Sequence, residues 1–251
     1  MSHAICFLTN KLSNDYFQFC KSIYNPAYKF YICVDKHSDY KSNNQIEIID
    51  IDNKICEDAG FKGCVTYFSE DHACSRDKAL YYFCRVMNRK HSQIWFIEDD
   101  VFFYSLQTIK NVDDNYPHAD LLSNNNNIKT NRKLDWQNKW HWQRIFKQSK
   151  LPPPYGTSMI CAIRVSNKLL AHIDRYVRVS NTLFVDEALF NTISLQANLV
   201  TKTPTELSTI TFRKNWKNDE INKTNLYHPM KHFHRQTLVR KLLSAEKADN
   251  S

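Results

Sequence analysis

The sequence predicts an α/β protein built on a mostly parallel central sheet flanked by helices. Three observations predict it. The first hundred residues alternate short β-branched or aromatic runs with amphipathic stretches, in the order strand, helix, strand, strand, helix, strand, which is the pattern of a parallel sheet with helices on its faces. The run Ile94 to Ile97, Ile-Trp-Phe-Ile, reads as a buried strand, and three adjacent acids, Glu98-Asp99-Asp100, leave at its C-terminal end. At 251 residues, 42% hydrophobic and 24% charged, the chain is globular in composition and long enough for one large domain or two abutting halves.

Taken in order, Ala4 to Leu8 is a first buried strand, ended by Thr9-Asn10. A helix follows, capped by Ser13 or Asn14, with Tyr16, Phe17, Cys20 and Ile23 at helical spacing, and Asn25-Pro26 closes it. Lys29 to Val34 is a second strand, ending on Asp35, and Ile46 to Ile51 a third. From Ser75 an amphipathic helix turns Ala79, Phe83 and Val86 or Met87 inward and feeds the acidic strand. Ligands of such sheets bind beyond the carboxyl ends of the strands, where Thr9, Asn10, Asp35 and the acids at 98 to 100 fall.

Continued strand alternation through the acids places Glu98 and Asp100 on one face and Asp99 on the other. Two carboxylates about 4 Å apart repel by roughly 4 kcal/mol at an effective dielectric near 20, which a divalent cation reverses. A hard metal held by oxygen ligands is the economical explanation, and an acidic turn after a core strand is the alternative.

The chain has only 3 glycines, which excludes a P-loop or a Gly-x-Gly-x-x-Gly dinucleotide loop, so any phosphate must be held by metal and basic side chains. The formal charge of +8 suits an anionic ligand and equally a merely soluble basic protein. Eight cysteines without a Cys-x-x-Cys pair argue for reduced thiols in a cytosolic compartment rather than a disulfide frame or a zinc site. No signal peptide and no run of about 20 apolar residues is present, so a cytoplasmic protein without a membrane span is expected.

Between Lys129 and Lys150, seven Lys or Arg and one acid interleave with Trp136, Trp140, His141 and Trp142. This segment reads as a basic aromatic flap over the sheet, able to stack sugar rings or nucleic-acid bases, or else simply solvated with its tryptophans packed on the core. Tyr155-Gly156-Thr157 leads into a strand over Ser158 to Val165. Ser166-Asn167 then caps a helix with Leu169, Leu170 and Ile173 as its stripe. Phe184-Val185-Asp186-Glu187 opens the next helix, with Leu189, Phe190, Ile193 and Ala197 inward, Asp186 as N-cap and Glu187 as the first helical residue. The helix dipole favours both acids there, so the pair also has a purely structural explanation. The segment Tyr227 to Arg235 packs three histidines and two cations into nine residues. It is either an exposed basic helix or a source of a histidine ligand.

Taken together, these features resemble a GT-A-type glycosyltransferase. The resemblance rests on Glu98-Asp99-Asp100 as the family's Asp-x-Asp element, on Val185-Asp186-Glu187 as its acid at a helix start, and on the late His228. The run Asp186-Glu187-Ala-Leu-Phe-Asn-Thr is similar to the helix start of branching N-acetylglucosaminyl- and xylosyltransferases. The length and the missing anchor are similar to small glycosyltransferases of giant DNA viruses, which implies host cytoplasm or virion. The first motif acid is Glu98 rather than Asp, which leaves open which acids touch the metal.

The resemblance implies a GT-A-like domain over 1–251, with a nucleotide-binding half at 1–105, an acceptor-binding half at 106–235 carrying the flap at 129–155, and a tail at 236–251. It implies a nucleotide-sugar donor, with UDP-sugar preferred, a carbohydrate acceptor, and Mn or Mg held by Glu98, Asp100 and His228. Thr9, Asn10, Asp35, Arg76, Lys78 and Asp99 are expected at the nucleotide, and Lys231 and Arg235 at the diphosphate. Glu187 is expected as general base with Asp186 as understudy, which implies inversion. Trp136, Trp140, Trp142 and Tyr155 are expected at the acceptor. A metal-dependent nuclease or phosphotransferase, and a non-catalytic nucleic-acid-binding module, remain as readings from other classes.

Overall fold

The computed structural model describes residues 2–64, 73–133 and 142–245. Strands β1 (His3–Thr9), β2 (Tyr28–Val34), β3 (Ile46–Ile49), β4 (Gln93–Glu98), β5 (Leu121–Leu122), β8 (Ala162–Ser166) and β9 (Thr201–Lys202) form one sheet in the order β3-β2-β1-β4-β8-β5-β9. β8 pairs antiparallel with both neighbours and every other pairing is parallel. A separate antiparallel pair joins β6 (Asn127–Lys129) to β7 (Tyr155–Thr157). The protein is thus a mixed α/β fold with a mostly parallel seven-stranded sheet flanked by helices, as the sequence predicts.

Both faces of the sheet are buried, because successive side chains of a strand feed opposite faces. Ala4, Cys6 and Leu8 of β1 pack in one core cluster with Ile94 and Phe96 of β4. Ile5 and Phe7 pack in the other with Trp95 and Ile97. The first cluster is closed by helices α2 (Asn53–Asp58), α3 (Ser75–Tyr81), α5 (Trp142–Gln148), α6 (Asn167–Ser180) and α7 (Asp186–Gln196). The second is closed by α1 (Asn14–Ser22) and α4 (Leu106–Asn115). A third cluster gathers Phe102, Trp216, Tyr227 and Met230 under α8 (Phe233–Ala245). α8 runs across the boundary expected at 235/236, so the segment after 235 begins inside a packed helix rather than as a separate tail.

Local signals account for most element ends. Ser13 caps α1 by accepting from the Tyr16 amide at 3.3 Å, and Ser166 caps α6 by accepting from Leu169 at 3.1 Å. α3 continues as a π-helical turn over Tyr82–Val86, which rotates Val86 out to 55% exposure while Phe83 stays buried. The strand expected over Ser158 to Val165 begins only at Ala162. Gly156 in β7 presses against α7: a Cβ there would lie 2.9 Å from Asn191 Cβ and 2.9 Å from Asn126 Oδ1. The Gly156 amide donates to Thr192 Oγ1 at 3.1 Å across that contact. Glycine is therefore what lets β7 and α7 close on each other and hold the start of α7 in place.

Candidate active site

The parallel register sets the ends of β1, β2 and β4 side by side, with Thr9 opposite Val34 and Leu8 opposite Glu98. The next residues of each chain leave the sheet together. The Asp35 amide donates to Thr9 O at 3.0 Å, and the Asp99 amide donates to Leu8 O at 3.0 Å. A cavity of about 230 Å³ opens here, lined by Thr9, Asn10, Asp35, Arg76, Glu98, Asp99, Asp100 and Asp186 among others. Seven of those eight were expected at a nucleotide or metal, and Asp186 at the reacting hydroxyl.

The acids do not follow strand alternation. β4 stops at Glu98, and the chain turns through Asp99 and Asp100, with the Val101 amide donating back to Glu98 O at 3.0 Å. The expectation that Glu98 and Asp100 project from one strand face is corrected accordingly: once the backbone leaves the pleat, period two no longer sets direction. Asp99 turns to the Thr9 hydroxyl, with which it forms a short hydrogen bond. Burial pushes its carboxyl up, against the effect of Thr9. Asp35 accepts from the Ser75 amide at the start of α3 and is likewise pushed up by burial.

Arg76 organises the acids from α3. Its side chain is 3% exposed. Nη2 donates to Glu98 Oε1 at 2.6 Å and to Ile160 O at 3.2 Å, Nε pairs with Asp186 Oδ2 at 3.0 Å, and Nη1 is buried with no hydrogen-bond partner among the described residues. One guanidinium thus faces two carboxylates directly. Lys78 is equally buried, but Nζ donates to the carbonyls of Asp35 at 2.7 Å and Val34 at 3.3 Å, so it braces the end of β2.

Asp186 is the first residue of α7 and Val185 its N-cap, which corrects the expected capping role. Its Oδ1 accepts from the Glu187 amide at 2.9 Å while Oδ2 holds Arg76. Burial pushes the Asp186 carboxyl up to about 8, with Arg76 opposing. Burial and then Glu98 push Glu187 up to about 7. Among the described residues, nothing hydrogen-bonds or ion-pairs the Glu187 carboxylate.

His228 reaches the acidic turn from the opposite side. Phe102 and Tyr227 exchange backbone hydrogen bonds at 2.9 and 2.8 Å, the Met230 amide donates to Asp100 O at 2.7 Å, and Gln236 Nε2 of α8 donates to Asp99 O at 2.9 Å. That lattice fixes the imidazole. Its Nδ1 sits 2.7 Å from Thr211 O, which can only accept, so Nδ1 carries the proton and Nε2 faces Asp100 Oδ1 at 3.4 Å. Burial alone would depress this imidazole, but Asp100, Glu98 and the Thr211 carbonyl outweigh it and hold it above its ordinary value.

The residues fit a divalent cation on one observation in particular. Among the described residues Asp100 Oδ1 is buried without a hydrogen-bond partner, and its 3.4 Å contact to Nε2 is longer than a good hydrogen bond. A carboxylate oxygen and an oriented imidazole nitrogen facing each other are donor types that a divalent cation accepts. Glu98, Cys161 and His228 also bring donor atoms that all lie within 4.8 Å of one another. Cys161 was not singled out by sequence reading. It lies far from the acids in sequence, and only the pairing of β4 with β8 and the Glu98 amide donating to Cys161 O at 2.8 Å bring it in.

Other expected residues lie elsewhere. Lys231 is exposed, and Arg235 donates to Asn215 Oδ1 at 3.1 Å and to Trp216 O, so among the described residues neither lines the cavity. Trp142 stacks on Phe146 with ring centroids 5.7 Å apart and is 3% exposed, and Tyr155 is fully buried with its hydroxyl on Leu151 O at 2.7 Å. Rings so buried present no face to a sugar, which corrects their assignment as an acceptor platform. Trp136 and Trp140 lie outside the described residues.

No protein-family model matches the chain, and no curated protein matches it. Among solved structures, the apo form of mouse Xyloside xylosyltransferase 1 is similar over 81% of this chain and 84% of that one, at 12% sequence identity and a TM-score of 0.42. So distant a likeness bears on neither donor nor acceptor. Among the described residues, no helix is long and apolar enough to cross a membrane.

Proposed function

We propose that the chain is a metal-dependent glycosyltransferase that moves a sugar from a nucleotide-sugar, with UDP-sugar preferred, to a hydroxyl of a glycan or similar acceptor with inversion. The observation that carries this reading is the convergence of Asp35, Glu98, Asp99, Asp100 and Asp186 on one small cavity with a single buried guanidinium, Arg76, among them. The Asp35, Asp99 and Asp186 carboxyls are all pushed up. Burial is the first cause of each shift, and a cation arriving with a diphosphate would offset the cost of ionising these acids together.

Asp100 and His228 would hold a divalent ion, Mn or Mg, with Glu98 beside them. Such an ion neutralises charge as a nucleoside diphosphate departs. Asp186 and Arg76 fix the start of α7. That leaves Glu187, whose carboxylate has no partner among the described residues, to take the proton from the acceptor hydroxyl, and a carboxyl pushed up to about 7 is matched to proton abstraction near neutral pH. With one such base beside the acids, direct displacement and inversion follow.

A metal-dependent nuclease or phosphotransferase is favoured by the same convergence of acids, since two-metal chemistry also needs several carboxylates. A thermal-shift panel of nucleoside diphosphates and nucleotide sugars, with and without Mn, separates the two. Stabilisation by UDP or a UDP-sugar only with Mn supports transfer. No nucleotide response together with Mn-dependent cleavage of DNA or RNA supports the nuclease.

A further inference from the structure

The geometry points to Cys161 as a protein ligand of the cation, making the site one of mixed sulfur, nitrogen and oxygen donors that selects a thiophilic transition ion, Zn²⁺ most strongly, over Mg²⁺. This rests on the reading that the acidic turn binds a divalent cation, and it shifts the preference from Mg towards softer transition ions.

Three elements deliver the donors independently. Glu98 ends β4, Cys161 immediately precedes β8, and His228 comes from the segment hydrogen-bonded to Phe102 and Thr211. Their donor atoms all lie within 4.8 Å of one another. Metal–sulfur and metal–nitrogen bonds of about 2.3 and 2.0–2.1 Å put neighbouring ligands roughly 3.6 Å apart in a tetrahedral site, so about an ångström of closure completes it. The Cys161 position is fixed by its own carbonyl, which accepts the Glu98 amide at 2.8 Å, and the residue is 7% exposed.

The second observation is Asp100 Oδ1, which accepts no hydrogen bond among the described residues and faces His228 Nε2 at 3.4 Å, on the imidazole nitrogen left free by Thr211. Arg76 holds Glu98 Oε1 at 2.6 Å and His228 Nδ1 is held by Thr211 O, so both first ligands already have the outer partners that orient a metal ligand. A thiol in the set decides the metal. Magnesium takes oxygen in near-octahedral geometry, whereas thiolate with imidazole and carboxylate suits zinc and its neighbours. On binding, the sulfur–hydrogen bond of Cys161 breaks, the proton goes to solvent, and the sulfur lone pair forms the metal bond.

The test is a Co²⁺ titration of the full chain, with and without UDP, read by near-ultraviolet absorption and by calorimetry. The expected result is a sulfur-to-cobalt charge-transfer band that Zn²⁺ displaces and Mg²⁺ does not. In Cys161→Ser the band vanishes while Co²⁺ still binds, weakened by about tenfold or more. Co²⁺ binding to the parent without the band, or with affinity unchanged in Cys161→Ser, overturns the role of Cys161 and leaves the cation site standing. Absence of any Co²⁺ or Mn²⁺ binding, with or without UDP, overturns both. Cys161→Ala serves as a second variant should Cys161→Ser fold poorly, and a band that persists in either folded variant overturns the role of Cys161.

Discussion

Asp186 and Glu187, adjacent at the start of α7, have opposite commitments: Asp186 holds Arg76 at 3.0 Å and the Glu187 amide at 2.9 Å, while the Glu187 carboxylate is unpartnered among the described residues. An acid with two fixed partners builds the site, and an acid without any is free to move a proton.

Glu187→Gln should therefore keep its fold and its donor binding and lose turnover by a factor on the order of 10² to 10⁴. Asp186→Asn should lose less turnover per folded molecule and more thermal stability, since it weakens the pairing of the buried Arg76. Steady-state rates set beside melting curves separate the two. A melting loss confined to Glu187→Gln, with its turnover intact, would reverse the assignment. Product anomeric configuration by NMR is an independent check, because retention would leave Glu187 without a role.

The same carboxyl gives a pH dependence. Glu187 is pushed from an ordinary 4.5 up to about 7, so the folded chain holds this proton more tightly than the unfolded chain does. The associated stability is fully present below about 4.5 and is lost as pH rises through about 7. In metal-free buffer, Glu187→Gln should melt above the parent at pH 8, with the gap closing towards pH 4. A gap that widens towards acid would contradict the shift.

Much of this was legible in the sequence, and the parts that were not have physical causes. Apolar β-branched runs ended by polar residues placed β1, β2 and β4 and put Thr9, Asp35 and Glu98 at one edge, because parallel register follows from the strands themselves. Direction beyond a strand end did not follow, since Asp99 and Asp100 are aimed by Thr9 and by the segment from Tyr227 to Gln236 rather than by the pleat. Trp142 read equally as platform or core and Tyr155 was expected at the acceptor, and both are buried. Cys161 carried no local signal, because its partners are far away in the chain. The roles of Arg76 and Lys78 could not be separated by charge: one faces carboxylates and the other carbonyls.

A stability prediction concerns the opposite end of the sheet. Arg164 of β8 is 1% exposed and pairs with Asp113 Oδ1 at 2.5 Å, the same carboxylate that accepts from Trp95 Nε1 at 3.0 Å and from the Tyr28 hydroxyl at 2.5 Å. Arg164→Met leaves that buried carboxylate without its guanidinium and should cost about 3–5 kcal/mol in urea unfolding. A change below about 1 kcal/mol would show that the Tyr28 and Trp95 donors suffice.

Gly156→Ala drives a methyl against Asn191 and Asn126 where the gap is 2.9 Å. It should destabilise by about 1–3 kcal/mol and, because β7 seats α7, lower turnover through displacement of Glu187. Metal binding should be unchanged, since Asp100 and His228 lie on other elements. Reduced metal affinity with normal turnover would contradict this coupling.

The central claim is that Asp100 anchors a cation that in turn binds a nucleoside diphosphate, and calorimetric titration of UDP into the parent and into Asp100→Ala, each with and without Mn²⁺, tests it most directly. The account predicts Mn²⁺-dependent UDP binding in the parent and its loss in Asp100→Ala, with the melting temperature of the variant close to that of the parent. UDP and Mn²⁺ binding equally well to a folded Asp100→Ala variant would contradict it.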